Sequence, residues 1–176
     1  MVKGQRAMVL ILIGPMGCGK TTIGELLAAR LGWPFLDADD FHPAENKAKM
    51  RVGIALNDED RRPWLEILRV RIDDFIKNGE SAVLACSALK QAYRDLLGVD
   101  QEKVVTIYLK GTFDLISRRL KERRHPYMND NLLASQLDTL EEPADGLKVD
   151  IGQSPEEIVA EILTTLEQNP GPGIVK

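Results

Sequence analysis

Cysteine, histidine and aromatic residues are scarce in this chain, and it has no excess of positive charge. The two cysteines, Cys18 and Cys86, and the two histidines, His42 and His125, stand far apart. That spacing supplies no zinc-type ligand set, and the thiols read as reduced groups of a cytoplasmic protein rather than a disulfide. Aromatics make up 5% of the residues and the formal net charge is -4. A nucleic-acid surface usually needs a basic face, so that class of partner is disfavoured. The densest basic run, Ser117–Arg124, holds five cations and one acid, but no aromatics are interleaved with it. Long apolar runs are also missing: nothing approaches the roughly 20 residues of a membrane span. The short run Ala7–Ile13 is followed by glycines and a lysine, so it reads as a core strand rather than a signal segment.

What is present is concentrated near the start. The apolar stretch Met8–Ile13 leads directly into Gly14-Pro-Met-Gly-Cys-Gly-Lys20-Thr21. This is the G-x-x-x-x-G-K-[ST] pattern between a strand and a helix. Gly14, Gly17 and Gly19 let backbone N–H groups turn inward around phosphate oxygens, with Met16, Cys18 and Thr22 in the same cradle. Lys20 reaches the outer phosphates, Thr21 offers a hydroxyl to Mg²⁺, and the helix that follows directs its positive end at the anion. The pattern predicts binding of ATP or GTP.

Strands alternate with helices along the rest of the 176 residues. Strands are expected at Met8–Ile13, Trp33–Leu36, Ala82–Cys86, Val104–Leu109 and Leu147–Ile151. Helices are expected at Thr22–Leu31, Pro43–Arg51, Pro63–Lys77, Leu89–Leu97, Phe113–Glu122 and Leu132–Leu140, with a last one from a Ser154–Glu157 capping box to about Leu166. This order predicts an α/β domain with a parallel sheet covered on both faces. One domain, 1–176, is expected, with a core at 8–166 and a tail at 168–176.

Further candidates gather where such sheets bind ligands, at the carboxyl ends of the strands. Asp37-Ala-Asp39-Asp40 ends the second strand. Asp37 and Asp39 alternate along an extended chain and would project alike, one toward a metal's water shell and one toward a substrate hydroxyl. A solvated turn with a helix cap would use the same acids. His42 suits substrate contact or a fixed turn equally. Arg61, Lys90 and Arg94 offer cations to an anionic substrate, or pair with nearby acids. Ser87 stands at the tip of the third strand. The arginines that lead into the polar stretch Arg123–Asn131 suggest a lid that excludes water and neutralises transition-state charge.

Several blocks together resemble the gluconokinases. They are the phosphate loop, Phe35-Leu-Asp-Ala-Asp-Asp-Phe-His-Pro43, Asn46 with Lys49-Met50, Leu56-Asn-Asp-Glu-Asp-Arg-Arg-Pro-Trp64, Cys86-Ser-Ala-Leu-Lys90, Tyr93-Arg-Asp95, Ile107-Tyr-Leu109, and Ser135-Gln136 with Thr139-Leu-Glu141. The resemblance covers about residues 8–166. It implies a P-loop NTPase-type three-layer sandwich with a five-stranded parallel sheet, like that of nucleoside-monophosphate kinases. A substrate region at about 40–78 and a lid at about 120–135 complete it. It further implies ATP- and Mg²⁺-dependent phosphorylation of D-gluconate at its 6-hydroxyl by a cytoplasmic homodimer. A P-loop kinase of another small sugar acid or a shikimate-like substrate is the alternative, and after it a nucleotide-binding switch without turnover. By position, Lys20, Asp39 and Arg123 would be catalytic. Gly14, Met16, Gly17, Cys18, Gly19, Lys20, Thr21, Thr22 and Arg119 would hold ATP, and Thr21 and Asp37 the metal. Asp39, His42, Arg61, Ser87, Lys90, Arg94 and Gln136 would meet gluconate. The chain departs from the family pattern at Ala55, where proline is usual, and at His125-Pro-Tyr-Met128, where the lid usually reads Gly-His-Phe-Met.

Overall fold

The computed structural model describes residues 6–123 and 130–169. Five strands form one parallel sheet in the order β2-β3-β1-β4-β5. They are β1 (Val9–Ile13), β2 (Phe35–Asp37), β3 (Ala82–Ala85), β4 (Val104–Lys110) and β5 (Leu147–Asp150). The helices are α1 (Lys20–Leu31), α2 (Ala44–Arg51), α3 (Asp58–Lys77), α4 (Gln91–Leu96), α5 (Phe113–Glu122), α6 (Asp130–Thr139) and α7 (Pro155–Gln168). β1 pairs with β3 on one side and β4 on the other. The chain crosses from one side of β1 to the other after β3, so a crevice opens beyond the carboxyl end of β1.

β1 is buried along its whole length because both of its faces are covered. Leu10 and Leu12 pack with Ile23 and Leu27 of α1, Ile116 and Leu120 of α5, and Ile158 and Ile162 of α7. Val9, Ile11 and Ile13 face Trp64, Leu65, Leu68 and Ile72 of α3. The result is the three-layer α/β sandwich that the alternation of elements predicted. Each such buried aliphatic side chain contributes about 1.5–3 kcal/mol relative to exposure. Local signals set the helix ends: Thr112 accepts from Leu115 N at the start of α5, and Ser154 with Glu157 forms the expected capping box on α7.

Three expectations are corrected. The long helix begins at Asp58, not Pro63, because Asn57 and Asp60 form a capping box ahead of it. Pro63 therefore lies inside α3, one turn past its start. β2 runs from Phe35 to Asp37 rather than from Trp33 to Leu36. Asp37 and Asp39 do not alternate along an extended strand. The chain folds into a 3₁₀ turn over Ala38–Phe41, and Asp37 caps it by accepting from Asp39 N at 3.0 Å. Residues 124–129, which include His125 and Pro126 of the expected lid, lie outside the described residues, as does the tail beyond Asn169.

Candidate active site

The phosphate loop links β1 to α1, and its shape depends on glycine. Gly17 has φ 77°, and a Cβ there would meet Leu120 Cδ2 at 2.6 Å. Gly19 stands at the α1 N-terminus with φ 101° and offers no side-chain cap. The first N–H groups of α1 are thus left for an anion. Lys20 Nζ bridges the carbonyls of Gly14 and Pro15 at 3.0 and 3.1 Å. The Cys18 side chain turns into the core, where burial pushes its thiol pKa up.

A cavity of about 470 Å³ opens over this loop. Its walls bring together Met16, Gly17, Gly19, Lys20, Thr21 and Thr22 with Asp37 and Asp39 from the end of β2, Ser87 from beyond β3, Leu120 and Arg123 from the end of α5, and Gln136 of α6. Thr21 Oγ1 donates to Asp37 Oδ2 at 3.4 Å, so a hydroxyl and a carboxylate share one corner. Gln136 Oε1 accepts from Met16 N at 2.7 Å, which ties α6 to the phosphate loop. Confinement in the cleft, then the Asp37 carboxylate, raise the Asp39 pKa above its ordinary value. Lys20 pulls it back and Asp40 adds a smaller push. The Asp39 side chain is 84% exposed, so water screens much of this effect.

A second group adjoins the cavity through Asp39. His42 Nε2 lies 3.9 Å from Asp39 Oδ1. Its ring stacks on Trp64 with centroids 4.2 Å apart, and Trp64 Nε1 donates to Ala38 O at 2.7 Å. One turn before Trp64 on α3, Arg61 Nη1 donates to the Tyr93 hydroxyl at 3.2 Å. The Tyr93 hydroxyl in turn donates to Asp58 in a short bond, and Lys90 Nζ reaches both Asp58 oxygens at 3.2 Å. The Tyr93 hydroxyl, then Lys90, hold the Asp58 carboxyl below its ordinary range. Two cations against one carboxylate leave one positive charge.

Two candidates stand elsewhere. Arg94 is 2% exposed, and its guanidinium is committed to Ala88 O, Leu89 O, Glu141 O and Gln91 Oε1. It clamps a loop and is not free to meet a substrate. Arg119 does not line the cavity; its Nη2 donates to Ile151 O at 2.6 Å. Conversely, Asp58 and Tyr93 bond the cations beside the cavity, and Asn46 Nδ2 faces His42 Nδ1 at 3.4 Å, although no role at the site was assigned to these three. Asp58 and Arg61 are three apart on α3, which was the available signal, but Tyr93 joins them only through tertiary packing.

A nucleotide loop, a facing pair of acids and a cationic group beside them define a small-molecule kinase. The shikimate kinase family model matches residues 16–167. The gluconokinase of Arabidopsis thaliana is 40% identical over 93% of this chain and 95% of its own length. The thermoresistant gluconokinase of Escherichia coli is 38% identical over 91% of this chain and 94% of its own. The crystal structure of a gluconokinase from Sinorhizobium meliloti superposes with a TM-score of 0.81 at 35% identity, covering 93% of this chain and 94% of that one. The chain belongs to the gluconokinase family, and it also matches the shikimate kinase family model over most of its length.

Proposed function

We propose that this protein transfers the γ-phosphoryl group of ATP to the 6-hydroxyl of D-gluconate, giving 6-phospho-D-gluconate and ADP. The observation that carries this reading is the meeting of Lys20, Thr21, Asp37 and Asp39 around one cavity. The phosphate loop holds the nucleotide, and Lys20 leaves its loop carbonyls for the outer phosphates. Thr21 Oγ1 and Asp37 Oδ2 are hard oxygen donors 3.4 Å apart, which suits Mg²⁺. No group of three or more His, Cys, Asp or Glu that could hold a metal ion by itself is found among the described residues, and Mg²⁺ in kinases is held by few protein ligands plus phosphate oxygens. When bound, Mg²⁺ neutralises charge on those oxygens.

Asp39 orients the attacking hydroxyl and accepts its proton, while Arg123 and Gln136 face the transferred group. Phosphoryl transfer needs alignment and charge compensation more than covalent help. Arg61 and Lys90 take the carboxylate end of the acid, with Ser87 along the chain between. The single positive charge of the Asp58–Arg61–Lys90–Tyr93 group favours a monoanionic sugar acid over a dianionic monophosphate. A cytoplasmic homodimer accompanies this reading, as the resemblance to gluconokinases implies; light scattering at micromolar concentration checks the dimer. The acceptor is tested by Mg²⁺-dependent ATP consumption with D-gluconate, L-idonate, shikimate and AMP. Turnover with gluconate alone supports the assignment, and preference for another acceptor overturns it.

A further inference from the structure

Asn46 is 3% exposed and lies between α3 and the turn that carries His42. Its Nδ2 donates to Asp60 O at 2.8 Å, and the same nitrogen faces His42 Nδ1 at 3.4 Å. A backbone carbonyl only accepts, so the atom toward Asp60 must be the amide nitrogen. That nitrogen has two protons and no lone pair to offer, so His42 Nδ1 must be the acceptor. The proton of a neutral His42 is then on Nε2, and Nε2 is the atom that faces Asp39 Oδ1 at 3.9 Å. The exposed Asp39 side chain can close that gap by rotation, whereas His42 is held by its stack on Trp64. Burial, then Lys47 and Arg61, lower the His42 pKa, which keeps the ring neutral.

We propose that Asn46 and His42 form a positioning relay in which Asn46 fixes the Nε2–H tautomer of His42 and this N–H orients the Asp39 carboxylate toward the acceptor hydroxyl. The relay rests on the reading of Asp39 as the proton acceptor. A ring with the opposite tautomer would present a lone pair to the carboxylate and turn it away. His42 acts through Asp39 and does not itself exchange a proton in the reaction. The arrangement follows the general rule that the bond made by one imidazole nitrogen sets the state of the other.

The chain has only His42 and His125, so ¹⁵N–¹H correlation on histidine-labelled full-length protein resolves both rings, with His125→Gln giving the assignment. The expected result is an Nε2–H pattern for His42 at neutral pH; an Nδ1–H pattern overturns the relay. Asn46→Asp supplies an acceptor in place of the donor and should convert His42 to Nδ1–H. It should lower kcat roughly tenfold, the scale of one hydrogen bond to a charged group, with the KM for ATP unchanged. Full kcat with a converted tautomer overturns the proposal. Should that variant fold poorly, His42→Gln and His42→Leu decide. Both lose the stack, but only glutamine keeps an N–H donor, so it should retain clearly more kcat; equal loss overturns the proposal. The tautomer readout needs no turnover. A wild type inert toward gluconate but carrying the Nε2–H tautomer refutes the acceptor assignment and still supports the positioning.

Discussion

Replacing Arg94 with methionine separates a substrate cation from a structural clamp. The guanidinium donates five bonds, from Nη1 to Ala88 O and Leu89 O, from Nη2 to Glu141 O and Gln91 Oε1, and from Nε to Gln91 Oε1. Methionine keeps the apolar stem and removes every donor, leaving Ala88 O and Glu141 O short of partners, while Leu89 O keeps its bond from Glu141 N at 2.8 Å. Ala88 holds a left-handed φ of 38°, a strained conformation that persists only when neighbours fix it. Each buried carbonyl left unsatisfied costs about 1–3 kcal/mol, so the two together cost about 2–6 kcal/mol. For a chain of this size each kcal/mol lowers Tm by about 2–4 °C, so the melt should fall by roughly 10 °C. Circular dichroism melts report the stability, and steady-state kinetics well below the new Tm report the KM for gluconate. The reasoning requires a large Tm loss with KM changed less than about tenfold. An unchanged Tm with a much higher KM would refute it and return Arg94 to the substrate.

The other predictions concern the reacting groups and the thiols. Lys20→Ala should lower kcat by at least about 10²-fold, the scale set by removing one preorganised donor from a transition state, with the melt unchanged; initial-rate assays check this. Asp39→Asn should lower kcat by about 10²–10⁴-fold while ATP affinity, measured by calorimetry, stays the same. In the wild type the acid limb of kcat/KM, which reports the unliganded site, should lie above the ordinary aspartate range. The base must be ionised, and confinement plus Asp37 raise its pKa, so activity is lost as pH falls through that raised value; the limb should vanish in Asp39→Asn. Cys18 and Cys86 are buried and free, and burial pushes the Cys86 thiol up to about 12. A thiol-reactive disulfide reagent should therefore label neither in the native protein and both in guanidinium, because the thiolate is the nucleophile.

Much of this arrangement was legible in the residues. An apolar run into a glycine-rich loop, followed by alternating β-branched and helical segments, reports local physics, and the sheet and its phosphate cradle followed from it. The acids after β2 were also visible, but their geometry was not. Asp37 captures the Asp39 N–H and folds the chain into a turn, so side-chain-to-backbone bonding overrides strand alternation there. The start of α3 was misread because Pro63 is a familiar first-turn residue, while the stronger signal was the Asn57–Asp60 capping box. Arg94 stands four residues after Lys90, which caps α4 in an extended conformation, yet it turns inward because Ala88, Leu89 and Glu141 present carbonyls there. Such long-range partners have no signature in spacing. The same holds for Tyr93, which completes the Asp58 group, and for Asn46, whose two donor bonds exist only once α2 packs beside α3.

The most direct test of the account is ³¹P and ¹³C NMR of the product formed from ATP, Mg²⁺ and D-gluconate, with Asp39→Asn beside the wild type. The account predicts one phosphate ester, at C6, formed by the wild type and nearly absent with the variant. No gluconate ester from the wild type, an ester at another carbon, or full turnover by Asp39→Asn would contradict it.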